Sequence, residues 1–263
     1  MTLSALRVAI IVFPGSNCDR DMMVAIEQLT SRRPALVWHK EASLDAADLV
    51  IIPGGFSFGD YLRCGALAGR SPIMNAVLDH AARGGAVMGI CNGFQVLTET
   101  GMVPGVLIRN AELKFTCRNV GLQVCETVAS PFTSGLATNK VLTLPIAHNE
   151  GNYFAEPDEL DQLEGEGQVA FRYTDSNTIE PTNPNGAARD IAGHAVDVAS
   201  SSAINRARAR ALAPDKSNQD GGACASAILL MRSNARSTRV AAVVCERSPN
   251  ALKAYRRRVC GLK

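Results

Sequence analysis

The sequence predicts an α/β fold, a doubly wound and mostly parallel sheet with a β-rich extension and an irregular C-terminal tail. Three observations carry that reading. Apolar runs of strand length lack the alternation of a half-solvated sheet, segments of helical period separate them, and three of the runs stop at glycine-bearing turns. In such sheets function collects beyond the carboxyl ends of the strands, which is where those three turns fall.

The run Val8 to Phe13 follows Arg7 and is stopped by Pro14-Gly15, which suits a strand buried on both faces. Ser16 and Asn17 are placed to cap a helix with Asp19 and Asp21 in its first turn and Met22, Ala25, Ile26 and Leu29 on one face. Ala35 to Trp38 and Leu49 to Ile52 read as two further strands. Ile73, Ala76, Val77, His80 and Ala81 mark the buried face of a helix that follows Pro72. Ala86 to Ile90 is a short buried strand, and the segment containing Phe94, Val96 and Leu97 reads as an amphipathic helix after it. Arg118 to Cys125 and Val141 to Pro145 predict an antiparallel ribbon or sheet extension, and Asn183-Pro184-Asn185-Gly186 predicts a tight turn.

With 46% hydrophobic, 5% aromatic and 20% charged residues in 263, the chain has a globular composition, neither disordered nor collagen-like. Val8 to Phe13 is far short of the ~20 apolar residues of a membrane span, so the expectation is no membrane association and no signal peptide. Eight cysteines without a C-x-x-C pair give neither a zinc site nor a disulfide framework, which places the chain in a reducing cytoplasm.

The net charge of +2 conceals two unlike parts, because residues 1–193 hold 14 basic and 21 acidic side chains and residues 194–263 hold 13 and 4. The expected division is therefore a domain over 1–193, incomplete at its C-terminal end, and a poorly ordered basic tail rich in Ala, Arg and Ser over 194–263. A nucleic-acid arm is disfavoured. Arg206, Arg208 and Arg210 alternate with alanine, and Tyr255 is the only aromatic in the tail, so no stacking platform exists.

The chemistry centres on Gly89-Ile90-Cys91-Asn92-Gly93, which lies between a strand and a helix. Small residues on both sides permit the sharp turn of a nucleophile elbow, with cysteine as nucleophile. The following helix brings partial positive charge to the thiol, and the Asn92 N–H supplies an oxyanion donor. The Pro53-Gly54-Gly55-Phe56 loop, at the end of a neighbouring strand, offers a second backbone donor without a Cβ in the way. An inert buried cysteine is the commoner fate of this residue type, and the paired glycine loop is what favours catalysis.

Together with this elbow, Pro53 to Gly65, Gly89 to Gln95, His148-Asn149-Glu150-Gly151 and Asn183 to Gly186 resemble the glutaminase subunits of phosphoribosylformylglycinamidine synthase, a family of class I glutamine amidotransferases. The resemblance runs from about Arg7 to Gly193. It implies that Cys91 attacks the glutamine side-chain amide, releasing ammonia and leaving a thioester that water clears. It also implies that Gly54, Gly55, Asn92 and Gln95 hold the glutamine and the oxyanion. A large synthase subunit would take the ammonia, using ATP and Mg, to make formylglycinamidine ribonucleotide in purine synthesis, with a small accessory subunit in the same complex. This chain is expected to bind no cofactor and no metal itself.

The same family places a His base and an orienting Glu in a Pro-His-Pro-Glu segment after the Asn-Pro-Asn-Gly turn, and this chain has none. His39 and His80 read as structural, His148 as part of a loop near the substrate or partner surface, and His194 as accidental at the break. No base or orienting carboxylate is assigned, and Ala213-Pro214-Asp215, where the motif belongs, offers no imidazole. The expectation is that residues after Gly193 are read in a shifted frame, that turnover is severely impaired, and that the missing strand leaves a sheet edge uncovered. A catalytically incompetent glutamine-binding scaffold and a stand-alone cysteine hydrolase are the alternatives. Glu41, Asp45 and Asp48, or Asp158, Glu159 and Asp161, read as solvated faces rather than metal sites, and the glycine loop lacks the Lys-Ser/Thr of a phosphate cradle.

Overall fold

A computed structural model describes residues 3–127, 130, 132–133, 135–175 and 182–196, together with the backbone of 228–231. Four parallel strands form one half of a nine-stranded sheet: β1 (Val8–Val12), β2 (Ala35–Trp38), β3 (Leu49–Ile52) and β4 (Ala86–Ile90). β1 and β3 are almost wholly buried, which is why their sequences are continuous apolar runs rather than alternating ones. Helices α1 (Asp19–Thr30), α2 (Ala66–Gly69), α3 (Ile73–Ala82) and α4 (Asn92–Glu99) lie in the connections.

The other half carries the β-rich extension. β6 (Thr116–Val124) pairs antiparallel with β7 (Val141–His148) and with β9 (Val169–Thr174), and β9 pairs antiparallel with β10 (Ile191–Val196). β5 (Val106–Ile108) and β8 (Asn152–Phe154) make a separate two-stranded sheet, and α5 (Pro157–Gly165) precedes β9. The sheet is thus mixed: parallel through β2-β1-β3-β4 and antiparallel through β10-β9-β6-β7.

Three expectations change. The boundary at Gly193 falls inside β10, whose residues from Ile191 to Val196 are all buried, so His194 is a core residue and no accident of the tail. The sheet edge expected to stand open is filled by β11 (Ile228–Met231), antiparallel to β4 and parallel to β10. A strand in mid-sheet must find partners for its backbone donors and acceptors, and Ile-Leu-Leu-Met is an apolar run of the kind that builds β3. The rest of the tail, with Arg206, Arg208, Arg210, Ala213 to Asp215 and Tyr255, lies outside the described residues. Third, α4 is buried on its polar face as well as its apolar one: Asn92 to Thr98 are all buried, because the helix is enclosed by the sheet and by the loops that meet over it.

α1 differs in detail. Its N-cap is Cys18, without a side-chain cap, while Ser16 Oγ accepts from the Phe13 N–H and Asn17 Oδ1 accepts from the Cys18 thiol. Met22 and Ile26 face the core as expected, but Leu29 is 43% exposed and Thr30 takes the next buried position. Thr30 tolerates burial because its hydroxyl donates to Ile26 O at 2.8 Å. Among the described residues, no helix is long and apolar enough to cross a membrane.

Candidate active site

Cys91 ends β4 and begins α4 at φ 57 and ψ −114, a backbone conformation that side chains rarely adopt. Such a geometry costs on the order of 1–3 kcal/mol and persists only where its surroundings enforce it. Those surroundings are glycines. A Cβ on Gly93 would stand 2.0 Å from Ile52 O, and one on Gly89 would stand 2.3 Å from Leu97 Cδ1 and 2.6 Å from Gly93 O. The close approach of α4 to β3 and β4 therefore demands glycine on both sides of Cys91. Cys91 O accepts the first helical bonds from the N–H groups of Phe94 (2.9 Å) and Gln95 (3.3 Å).

The Gly54-Gly55 loop meets the elbow as expected. A Cβ on Gly54 would lie 3.2 Å from Cys91 Cβ, so the bare face of that glycine is turned to Cys91. Gly55, at φ +137, is turned the other way, where a Cβ would meet Asn17 N at 2.7 Å. The side chain of Asn92 knits the elbow to the loop beyond, since its Oδ1 accepts from Ser57 N–H at 3.1 Å. Its Nδ2 donates to Asp60 Oδ1 at 3.1 Å and to Gln95 Oε1 at 2.9 Å. Gln95 Nε2 donates in turn to Glu150 O at 3.2 Å, so the His148 to Gly151 loop is bonded directly to the elbow helix.

A second layer fixes that loop. Asn185 Nδ2 donates to Gly151 O at 2.7 Å and to Tyr173 Oη at 3.3 Å, while Asn183 Oδ1 accepts from the N–H groups of Asn185, Gly186 and Ala187. Burial raises the Tyr173 phenol well above its ordinary value, and the neighbouring charge of Cys91 raises it further. Among the described residues, five buried side-chain polar atoms have no hydrogen-bond partner: Ser57 Oγ, Glu150 Oε2, His148 Nε2 and both ring nitrogens of His194. Asp60 and Glu150 also flank the buried Cys64 thiol, which burial and then those two carboxylates keep protonated.

All four histidines of the chain are placed. His39 is ringed by Phe13, Trp38 and Phe58, with Ser71 Oγ 3.4 Å from Nδ1, and His80 holds Ala86 O at 3.2 Å. Burial lowers both. His148 is completely buried rather than lying at a surface. Asn110 Nδ2 donates to Lys114 O, Thr116 Oγ1 and His148 O, so its Oδ1 is the acceptor of the His148 Nδ1–H at 3.0 Å. Burial pushes His148 down to about 4. His194 packs 4.6 Å from the Tyr153 ring and 5.8 Å from Phe94, and burial pushes it down to about 3. A general base works with a pKa near the operating pH, so neither buried imidazole suits that role.

The candidate carboxylate clusters have structural duties. Asp48 takes the Arg7 guanidinium at 2.9 Å, Glu41 Oε1 accepts from Trp38 N–H, and Asp161 pairs with Arg189 at 2.6 Å. Among the described residues no group of His, Cys, Asp or Glu is arranged to hold a metal ion. Sequence reasoning passed over Cys18, Asn110 and Tyr173. Cys18 alone carried a signal, since it follows the first of the three glycine turns.

A family model, the CobB/CobQ-like glutamine amidotransferase domain, matches residues 5–197. A phosphoribosylformylglycinamidine synthase subunit PurQ from Bradyrhizobium diazoefficiens is 54% identical over 191 residues, covering 72% of this chain and 82% of that protein. The protein of the same name from Synechococcus is 47% identical over 219 residues, covering 83% and 94%. Among solved structures, PurLQS from Thermotoga maritima superposes with a TM-score of 0.64 at 33% identity, covering 79% of this chain and 97% of that one.

Proposed function

Since the chain belongs to the CobB/CobQ-like glutamine amidotransferases, in the PurQ family of phosphoribosylformylglycinamidine synthase subunits, we propose that its reaction runs through Cys91. The chain is a glutaminase subunit: it hydrolyses glutamine and delivers ammonia to the synthase subunit of purine biosynthesis, with which it forms a complex, and needs no cofactor for that step. The observation that carries the Cys91 assignment is a cysteine at φ 57, locked between Gly89 and Gly93 and facing Gly54.

The Cys91 sulfur attacks the side-chain carbonyl carbon of glutamine, and the oxyanion that forms is held by backbone N–H groups of Asn92 and the Gly54-Gly55 loop. Collapse breaks the C–N bond, ammonia leaves, and water cleaves the glutamyl thioester. Ser57 Oγ and Glu150 Oε2, on the two loops bonded to the elbow and buried without partners, would meet the polar end of the substrate, and Gln95 positions the Glu150 loop. The synthase uses ATP and Mg, a small third subunit completes the complex, and the assembly works in the cytoplasm. Residues 1–193, extended to the end of β10, make the amidotransferase domain, and the basic remainder adds β11 to its sheet.

Proton transfer is the weak step. The chain's four histidines are all buried and burial lowers each of them, so turnover by this chain is slow, and a glutamine-binding scaffold is the second reading. Glutamine-dependent ammonia release, measured with and without the synthase subunit, separates the readings. Release only with the synthase is expected. Binding without release would favour the scaffold, and release from the chain alone would favour a stand-alone hydrolase.

A further inference from the structure

Cys18 stands over the same glycine as the nucleophile. The turn at 14–18 is laced to the loop at 53–59: Phe58 N–H donates to Pro14 O at 2.6 Å, Phe56 N–H to Gly15 O at 3.2 Å and Cys18 N–H to Gly54 O at 3.4 Å. Ser16 and Gly55 form an antiparallel bridge across the same seam. The point where a Gly54 Cβ would sit is 3.2 Å from Cys91 Cβ and 3.5 Å from Cys18 Sγ. Both cysteines therefore border the volume that this glycine's missing side chain leaves. Neither is in a disulfide and both are partly exposed, whereas Cys64 is buried. The Cys18 thiol donates to Asn17 Oδ1, on an exposed side chain, at 3.5 Å.

We propose that Cys18 is the resolving thiol of Cys91, so that hydrogen peroxide converts this site into a reversible Cys18–Cys91 disulfide. The proposal rests on Cys91 being the reactive nucleophile. The Cys91 sulfur attacks the O–O bond, the distal oxygen leaves as hydroxide and becomes water, and Cys91 becomes a sulfenic acid. The Cys18 sulfur then attacks the Cys91 sulfur, the S–S bond forms, and the sulfenic hydroxyl departs as a second water with the Cys18 proton. Two thiols are oxidised and one peroxide is reduced. A disulfide needs its β-carbons about 3.5–4.5 Å apart, and a glycine between the thiols keeps that approach open. The product covers the nucleophile where glutamine must enter, while sparing Cys91 from irreversible sulfinic acid. A thiol reductant restores it.

The test treats the full chain with hydrogen peroxide, blocks remaining thiols with iodoacetamide, digests without reduction and maps the linked peptides by mass spectrometry. A Cys18–Cys91 pair is expected, with Cys91 alkylation falling at least ~10-fold and returning on dithiothreitol treatment. In Cys18→Ser and Cys18→Ala, a second peroxide should carry the unresolved Cys91 sulfenic acid on to sulfinic acid, so that the loss persists after reduction. Linkage of Cys91 to Cys64, Cys117, Cys125, Cys224, Cys245 or Cys260, or oxidation of Cys91 while Cys18 stays alkylatable, would overturn the proposal. Alkylation of Cys91 before peroxide tells the two readings apart. An inert Cys91 in the untreated chain sinks both, and a reactive Cys91 that never pairs with Cys18 sinks this one alone.

Discussion

Replacing Gly93 by Ala adds one methyl group at the tightest point of the elbow. That carbon would lie 2.0 Å from Ile52 O and 2.8 Å from Ile52 C, both backbone atoms of β3, which is itself paired with β4. An ordinary carbon-to-oxygen contact is about 3.3 Å, so α4 must withdraw by about 1.3 Å. No rotamer change can relieve the clash, and Asn92 to Thr98, all buried on α4, would move with it. Overpacking of this kind costs about 3 kcal/mol, against about 1 kcal/mol gained from the better helix propensity of alanine. The net loss of about 2 kcal/mol corresponds to a Tm lower by roughly 4–8 °C. Gly165→Ala is the matched control: the same substitution at the exposed last residue of α5, where an added Cβ meets nothing within 4 Å. It should raise Tm by up to about 3 °C. Calorimetry of both variants in one buffer checks the pair, and a Gly93→Ala variant that melts at or above the unaltered chain would refute the packing argument.

Acid should weaken the fold before carboxylates begin to titrate. His148 and His194 take protons near 6.5 when unfolded but only near 4 and 3 when folded, so stability is complete above about pH 6.5 and is lost as pH falls. At pH 5 each costs about 2 kcal/mol, and urea midpoints measured from pH 7.5 to 5 should show the decline, with His194→Phe removing about 2 kcal/mol of it. Asn185→Ala strips the donors from Gly151 O and Tyr173 Oη, and should cost about 2–3 kcal/mol in urea unfolding; a cost below ~0.5 kcal/mol would show that the loop is held by other means. Resequencing the DNA across the codons for Ile191 to Ala195 should find an inserted or deleted base with Pro-His-Pro-Glu in the restored frame; an intact frame without that motif would end the shifted-frame explanation.

The parallel half of the sheet was legible because its strands are continuous apolar runs, with β1, β3 and β4 largely buried and the edge strand β2 mostly exposed. Ala35 to Trp38, Leu49 to Ile52 and Ala86 to Ile90 begin and end in the structure where their apolar runs do. The elbow was legible for a related reason: Gly89 and Gly93 are demanded by backbone contacts, and such demands leave glycine in the sequence. What failed were inferences that needed the third dimension. Leu29 fits a helical period yet meets water, whereas Thr30 satisfies its hydroxyl within α1 and turns inward. β11 is four apolar residues in a tail that otherwise shows no period, and only the open flank of β4 explains its place. The links from Asn92 to Asp60 and from Gln95 to Glu150 span 32 and 55 residues, a separation that local pattern cannot bridge.

The central claim is a competent Cys91 nucleophile in a chain without a histidine poised to serve it. Its most direct measurement is single-turnover acid quench of the complex with radiolabelled glutamine, following the label on Cys91 and the glutamate released. Glutamine-dependent label that Cys91→Ala abolishes is expected, with glutamate release ~10³-fold or more below an ordinary turnover of about 10 s⁻¹. Release at an ordinary rate, or release that survives Cys91→Ala, would contradict that claim.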